Sequence, residues 1–207
     1  IKDKGLIISS DLPFKGDMDT RKLEEIIARE GADKIAFVRI EAGTNLIGGQ
    51  PVSLKNMEEV SQICKAHGIL SVMDASLLAD NLYFIHEREE SCKGLSIQEI
   101  NQKISALFDI IYFSARKLGH ARGGGIIIGS RDLYLQMREL ITLYEGFLTY
   151  GGMSVREIEA LAVGLRETMD PDMISQGPQF TAYMVRRLQE AGVPVVTPAG
   201  GLGCHID

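Results

Sequence analysis

Apolar residues in this chain recur with two different spacings in turn, and few folds can accommodate that alternation. Compact apolar runs typical of strands alternate with stretches whose apolar residues recur every three or four positions, as in amphipathic helices. The strand-like runs are KIAFVRI (34–40), ILSVMD (69–74), DIIYFS (109–114) and GGIIIGS (124–130). The helix-like stretches are 19–30, which precedes these runs, and 54–67, about 75–90 and about 96–107, which lie between them. Ser-x-x-Glu sequences that begin at Ser96 and Ser154 have the spacing of capping boxes, which open helices. Short strands separated by helices favour a largely parallel sheet covered on both faces, so the alternation predicts an α/β fold.

The C-terminal part of the chain contains the best candidate for a domain edge. The stretch MDPDMISQGP (169–178) carries two prolines and a glycine, and an amphipathic helix is predicted to follow it over 179–191. We therefore expect a large domain over residues 1–170 and the start of a smaller C-terminal domain over 171–207. The chain begins with Ile1 and stops inside an apparent strand, so we expect it to be the central part of a longer polypeptide.

Composition and charge argue against several classes of protein. With 28 acidic against 22 basic residues the net charge is −6, whereas a non-specific nucleic-acid binder needs clustered lysine and arginine. No apolar run approaches the roughly 20 residues that span a bilayer, and the first residues lack the pattern of a secretory signal. The three cysteines lie far apart and form neither a metal knuckle nor a disulfide framework. We expect a cytoplasmic protein without nucleic-acid or membrane partners.

The carboxyl ends of the predicted strands are where a ligand is expected, because parallel sheets bind ligands at that edge. Asp74 closes one apolar strand, although an aspartate in that position is often only a helix N-cap. Lys117 follows the strand DIIYFS, and most loop lysines are simply solvated. Asn45 lies in a glycine-rich loop, where the alternative is an Asx turn.

Taken together, these residues indicate pyridoxal phosphate chemistry. A lysine must form a Schiff base with the cofactor aldehyde, and an aspartate must pair with the pyridine nitrogen so that the ring accepts carbanion electrons. Lys117 and Asp74 stand at the ends of separate predicted strands, as this chemistry requires. Ser114 can donate its hydroxyl to the phosphate, and Arg116 adds positive charge beside it.

Five segments of the sequence resemble the tryptophanase and tyrosine phenol-lyase family. They are NLIGGQPVS (45–53), VMDASLLADNLYFI (72–85), SARK (114–117), EGFLTYGGM (145–153) and EALAVGL (159–165), and the resemblance runs from about Pro13 to about Gly201. It implies the large domain of the aspartate aminotransferase fold, that is, fold type I. It also implies a pyridoxal phosphate enzyme that eliminates the β-substituent of an L-amino acid to give pyruvate, ammonia and a leaving group.

The resemblance also implies a role for individual residues. Lys117 matches the lysine that holds the cofactor as an internal aldimine and then moves the α-proton, and Asp74 matches the partner of the pyridine nitrogen. Asn45 matches the asparagine that hydrogen-bonds the ring hydroxyl oxygen. Ser114 matches a phosphate ligand, and Arg116 stands where the family has a second lysine. The family further implies a homo-oligomer built as a dimer of dimers and a monovalent cation such as potassium.

Three positions depart from the family pattern. Leu77 replaces the arginine that contacts the cofactor ring oxygen, Leu118 replaces the acid after the lysine, and Leu202 replaces the histidine after the paired glycines. These departures leave open another pyridoxal phosphate reaction, of the aminotransferase, aldolase or cysteine desulfhydrase type. A non-catalytic relative is a further alternative, although a scaffold needs neither Lys117 nor Asp74. Tyr150 is equally compatible with lining the active site and with simple packing.

Overall fold

The computed structural model describes residues 2–3, 6–7, 12–144, 146 and 152–206. Tyr150 and most of the segment 145–153 lie outside the described residues. The described strands are β1 (Lys2–Asp3), β2 (Leu6–Ile7), β3 (Phe37–Glu41), β4 (Leu70–Asp74), β5 (Ile110–Ser114) and β6 (Gly124–Ile128). The described helices are α1 (Thr20–Glu30), α2 (Leu54–His67), α3 (Leu78–Arg88), α4 (Ile97–Ser105), α5 (Arg131–Tyr144), α6 (Val155–Glu167) and α7 (Pro171–Glu190), with short 3-10 turns at Ala32–Lys34, Asn45–Ile47 and Glu90–Cys92.

The strands β3 to β6 form one sheet in the order β3-β4-β5-β6. The strands β3, β4 and β5 are parallel, as expected, because a helix carries the chain back between them. The last strand runs antiparallel to β5, since the loop 115–123 reverses the chain without a crossover helix. Among the described residues, the strands β1 and β2 pair only with each other. The α/β fold predicted from the sequence is confirmed.

Helices cover one face of this sheet and build the core there. Along β3 the side chains of Val38 and Ile40 are buried while those of Phe37 and Arg39 are exposed, which is the alternation of a strand with one covered face. The core joins this face to α2, α3 and α4 through fully buried side chains, which include Met57, Met73, Leu82, Ile85, Ile100 and Ile104. Burying such a side chain stabilises the fold by about 1.5–3 kcal/mol. The helix α5 packs beside β6.

Two boundaries differ from the sequence-based expectation. The strand β3 starts at Phe37 and not at residue 34, because Ala32–Lys34 forms a 3-10 turn. The stretch 169–178, expected to be a domain edge, lies mostly inside α7, which packs against α3. Pro171 occupies the first turn of α7, where a missing N–H is harmless, so this proline opens a helix where we expected a break. The division into domains at residue 170 stays a prediction.

After α7 the described residues form no further strand. Val195 makes only an isolated antiparallel bridge with Ile206. Among the described helices, none combines the length and the apolar character needed to cross a membrane.

Candidate active site

The parallel strands end together at one edge of the sheet. The strand register pairs Glu41 with Asp74, and Asp74 with Tyr112, so these three side chains stand side by side on the same face. Backbone bonds continue this alignment past the strand ends, since the Ala42 N–H donates to the Asp74 carbonyl (2.9 Å) and the Ala75 N–H donates to the Tyr112 carbonyl (2.8 Å). The predicted ligand-binding edge therefore carries two carboxylates and a phenol in a row.

Asp74 is not the N-cap of the helix that follows. Its Oδ1 accepts from the backbone N–H of Ser76 at 3.0 Å, whereas α3 begins after Leu77, whose side chain makes no capping bond. The carboxylate is half-buried. Helix capping, the usual structural role of an aspartate at the end of a strand, is therefore excluded for Asp74.

Lys117 lies in a tight turn directly after β5. The backbone N–H groups of Lys117 and Leu118 both donate to the Ser114 carbonyl, at 3.1 and 3.0 Å. The turn is closed by the Ala115 N–H, which donates to the Gly123 carbonyl at 2.9 Å. Leu118 is buried in the core and anchors the turn, while the Lys117 side chain is exposed. Leu118 therefore has a packing role, and Lys117 is exposed at the same edge of the sheet as Asp74.

Basic side chains line an open depression beside this turn. Arg116, His120 and Arg122 line a space of about 450 Å³. Ser114 is half-buried at the end of β5, and its N–H donates to the Ser76 hydroxyl at 3.1 Å, which joins the ends of β4 and β5. Guanidinium and hydroxyl groups are the donors that suit a phosphate.

Asn45 reaches the edge from the loop after β3. It begins the 3-10 turn Asn45–Ile47, its side chain is exposed, and its backbone N–H donates to Glu41 Oε1 at 3.4 Å. Buried polar contacts hold the rest of this loop. The Asn81 amide donates to the Val52 carbonyl (2.9 Å) and accepts from the Val52 N–H (2.8 Å). Glu89 accepts from the first backbone N–H groups of α2. These contacts give the GGQPVS segment one fixed path toward the site.

The segment after α7 also approaches the site. The Gly201 N–H donates to the Gly49 carbonyl at 3.0 Å, and the Leu202 N–H donates to the Gly48 carbonyl at 3.2 Å. Arg88 holds the same segment by donating to the Ala199 carbonyl at 3.0 Å. Leu202 thus lies against the glycine pair that follows the Asn45 turn.

Leu77, which stands where the resemblance implies an arginine, is buried. Its neighbour is Gly43, where φ is +83° and where an added Cβ would lie 2.8 Å from the Leu77 Cβ. The Leu77 side chain therefore packs closely against Gly43 and leaves no room for a side chain at position 43.

Sequence reasoning missed four polar residues near the edge: Arg39, Ser76, Asp80 and Tyr112. Tyr112 and Arg39 each precede a strand's last residue by two positions, so the period of two in strands could have placed them on the same face. Burial raises the pKa of Asp80 to about 6, and the charge of His120 opposes that rise. Asp80 packs against Gly201, and only the tertiary structure brings them together.

The residues present fit pyridoxal phosphate. Asp74 offers a carboxylate for the pyridine nitrogen, Lys117 an accessible amine for the aldehyde, and Ser114 and Arg116 donors for the phosphate, all at one edge of the sheet. Asn45 adds an exposed amide for the ring oxygen. Within the described residues no cluster of three or more histidine, cysteine or acidic side chains suits a metal ion.

Comparison with known proteins agrees with this chemistry. The sequence model of the family described as "Beta-eliminating lyase" matches residues 3–206. The chain is 39% identical to a tyrosine phenol-lyase of Clostridium tetani, over all of this chain and 45% of that relative. It is 40% identical to a tryptophanase of Hyphomonas neptunium, over 99% of this chain and 45% of that relative. The chain thus spans less than half the length of the curated relatives it matches.

Solved structures confirm the expected fold. A threonine aldolase from Leishmania major superimposes with a TM-score of 0.60 at 20% identity, covering 93% of this chain and 52% of that one. The fold is therefore that of the pyridoxal phosphate enzymes of fold type I.

Proposed function

Because the chain belongs to the β-eliminating lyase family, we propose that the protein it forms binds pyridoxal phosphate and eliminates the β-substituent of an L-amino acid. The products are pyruvate, ammonia and the leaving group. The observation that carries this proposal is the presence of the Asp74 carboxylate and the Lys117 amine at the same edge of one sheet.

Each residue at the edge has a distinct task in this proposal. The bound cofactor supplies an electron sink for the carbanion formed at the substrate α-carbon. Lys117 attaches the cofactor through its Nζ and afterwards holds the α-proton on the same nitrogen. Asp74 binds the pyridine nitrogen through its carboxylate. Ser114 and Arg116 bind the phosphate, and Asn45 donates its side-chain amide to the ring oxygen.

The substrate class rests on the relatives. Two of them are named for tyrosine phenol-lyase and tryptophanase activity, so we propose an aromatic L-amino acid as substrate. A second candidate is another pyridoxal phosphate reaction, and the buried Leu77 favours it, because no guanidinium reaches the ring oxygen from that position. Measuring products separates elimination, which gives pyruvate and ammonia, from transamination, which gives the keto acid of the substrate and leaves the amino group on the cofactor. The leaving group identifies a desulfhydrase, which also gives pyruvate and ammonia.

Family membership alone supports three further parts of the proposal. We propose a homo-oligomer built as a dimer of dimers, a cytoplasmic location, and a monovalent cation such as potassium as a cofactor. Sedimentation and the dependence of activity on potassium test the first and the last.

The first experiment is borohydride reduction of the longest polypeptide that carries this sequence, after addition of pyridoxal phosphate. Peptide mass mapping is expected to find a reduced pyridoxyl adduct on Lys117, and the variant Lys117→Ala is expected to lose it. The matched control is Lys65→Ala on the exposed side of α2, which should keep the adduct. A folded full-length protein without an adduct, or with adducts spread over many lysines, would refute the proposal.

A further inference from the structure

Arg39, Asp74 and Tyr112 form a polar row across three neighbouring strands at the site. The proposed function gives a task to Asp74 but none to Arg39 or Tyr112. Arg39 on β3 donates from Nη1 to the Tyr112 hydroxyl on β5 at 3.0 Å, so this bond passes over β4, the strand that ends in Asp74. The strand register places Tyr112 directly beside Asp74. Arg39 also interacts electrostatically with the carboxylates of Glu41 and Asp74.

The chemistry of these groups fixes the direction of the hydrogen bonds. A guanidinium carries only donors, so the Tyr112 oxygen must be the acceptor in its contact with Arg39. The proton of the phenol is then free for another acceptor, and the Asp74 carboxylate stands directly beside Tyr112 in the strand register. The pKa of the Tyr112 phenol is raised, first by burial and then by Asp74, whereas Arg39 opposes the rise. The phenol therefore stays a donor at neutral pH.

Asp74 is consequently held from two sides. The Ser76 N–H binds its Oδ1 from the following turn, and Tyr112 approaches it from the neighbouring strand. A carboxylate held by two donors has little freedom to rotate, which leaves its remaining lone pairs in one direction. A ligand nitrogen at this edge then meets an acceptor that is already oriented.

We propose that Tyr112, supported by Arg39, is a positioning residue that holds the Asp74 carboxylate in the orientation that binds the pyridine nitrogen. This inference rests on the proposed function. Arg39 contributes in two ways: it occupies the acceptor side of the phenol, and it offsets the repulsion between the neighbouring carboxylates of Glu41 and Asp74.

The test compares Tyr112→Phe with the matched control Tyr183→Phe in the longest polypeptide that carries this chain. Tyr183 is exposed on α7 and lies outside the site. The dissociation constant of pyridoxal phosphate, measured by absorbance titration, is expected to rise about tenfold in Tyr112→Phe and to stay unchanged in Tyr183→Phe. The pH midpoint of the visible absorbance is expected to move upward only in Tyr112→Phe, because a ring nitrogen that is less firmly protonated withdraws less charge from the Lys117 nitrogen.

A double-mutant cycle with Asp74→Asn separates positioning from a general structural effect. Tyr112→Phe is expected to change the dissociation constant by less than about twofold in the Asp74→Asn background, because there is no longer a carboxylate to orient. Equal losses in both backgrounds would overturn the inference, as would a wild-type affinity and absorbance midpoint in Tyr112→Phe.

Substitutions of Arg39 keep the test informative if Tyr112→Phe fails to fold. Arg39→Met leaves the phenol in place and is expected to raise the dissociation constant about threefold, whereas Arg39→Lys, which retains a charged donor, should recover most of the affinity. Identical affinities in both Arg39 variants would contradict the supporting role. The absence of a Lys117 adduct in the wild-type protein would refute the proposed function itself, and that result is distinguishable from a wild-type Lys117 adduct whose affinity is insensitive to Tyr112.

Discussion

Gly43 and Leu77 show how a single contact can shape the site. Gly43 lies in the left-handed region, with φ at +83°, and Leu77 is buried against it at the start of α3. A side chain at position 43 would suffer both from the backbone conformation and from the short distance to Leu77. The loop that carries Asn45 and the turn that follows Asp74 can therefore lie this close together because Gly43 has no side chain.

Gly43→Ala is expected to lower the free energy of unfolding by about 2–3 kcal/mol, as measured by denaturant unfolding. The matched control is Gly68→Ala at the end of α2, where φ is +64° and nothing lies within 4 Å of an added Cβ. That control should lower the free energy by only about 1 kcal/mol. Equal losses in the two variants would show that Leu77 moves aside freely.

Helix starts are the elements that local sequence predicts best. Both predicted capping boxes form, at Ser96 and at Ser154, because each depends only on residues three positions apart. The predicted range of α2, residues 54–67, agrees with the observed helix, which Ser53 caps and Gly68 ends. The start of α7 was predicted eight residues too late, because a proline opens a helix or breaks one according to its position in the first turn.

Ser96→Ala is expected to lower the free energy of unfolding by about 1 kcal/mol through the loss of the N-cap of α4. Its Oγ accepts from the Glu99 N–H at 3.2 Å, and Glu99 Oε2 accepts from the Ser96 N–H at 2.8 Å. Ser105→Ala, at the other end of α4, is the control and should have a smaller effect.

The effect of this capping box is also expected to depend on pH. The bonds from the Ser96 backbone, and then from its side chain, lower the pKa of Glu99. A lowered pKa in the folded state means that the contribution is present above the unfolded-state pKa and is lost as the pH falls through the folded-state value. Ser96→Ala keeps the backbone bond to Glu99 but removes the bond from the Ser96 hydroxyl to Glu99 Oε2 (2.7 Å). The difference between wild type and Ser96→Ala should therefore shrink in acid, and a constant difference would contradict a role for this hydroxyl bond.

At the scale of the whole molecule, α3 joins parts that are distant in sequence. Asp80 on α3 packs against Gly201 and approaches Gly177 of α7, and no hydrogen bond from the described residues reaches its carboxylate. Arg88, near the end of the same helix, donates to the carbonyls of Pro13 (2.8 Å) and Ala199 (3.0 Å). The segment that approaches the site after α7 is thus held by residues encoded more than a hundred positions earlier.

The stability of the molecule is expected to vary with pH through Asp80. Burial raises its pKa from 3.8 to about 6, so between these values the unfolded chain loses this proton while the folded chain keeps it. This contribution is complete below the unfolded pKa and is lost as the pH rises through about 6. Asp80→Asn should be more stable than wild type by about 1–2 kcal/mol at pH 7.

Denaturant unfolding at several pH values checks the prediction for Asp80. The advantage of Asp80→Asn should disappear below about pH 4, where Asp80 is protonated in both the folded and the unfolded wild-type protein. Glu24→Gln, an exposed position on α1, is the control and should show no such window. An advantage that does not depend on pH would refute the burial of an ionised Asp80.

The sequence by itself determined the alternation of strands and helices, the α/β class and the positions of Asp74 and Lys117 at strand ends, because these depend on periodicity and on neighbours along the chain. The tertiary structure decided the antiparallel direction of β6, the contact of Asp80 with Gly201, and the row formed by Arg39, Asp74 and Tyr112. Residues 39 and 112 meet because three strands align in one register. Such an alignment depends on packing across the whole sheet, which no local pattern in the sequence specifies.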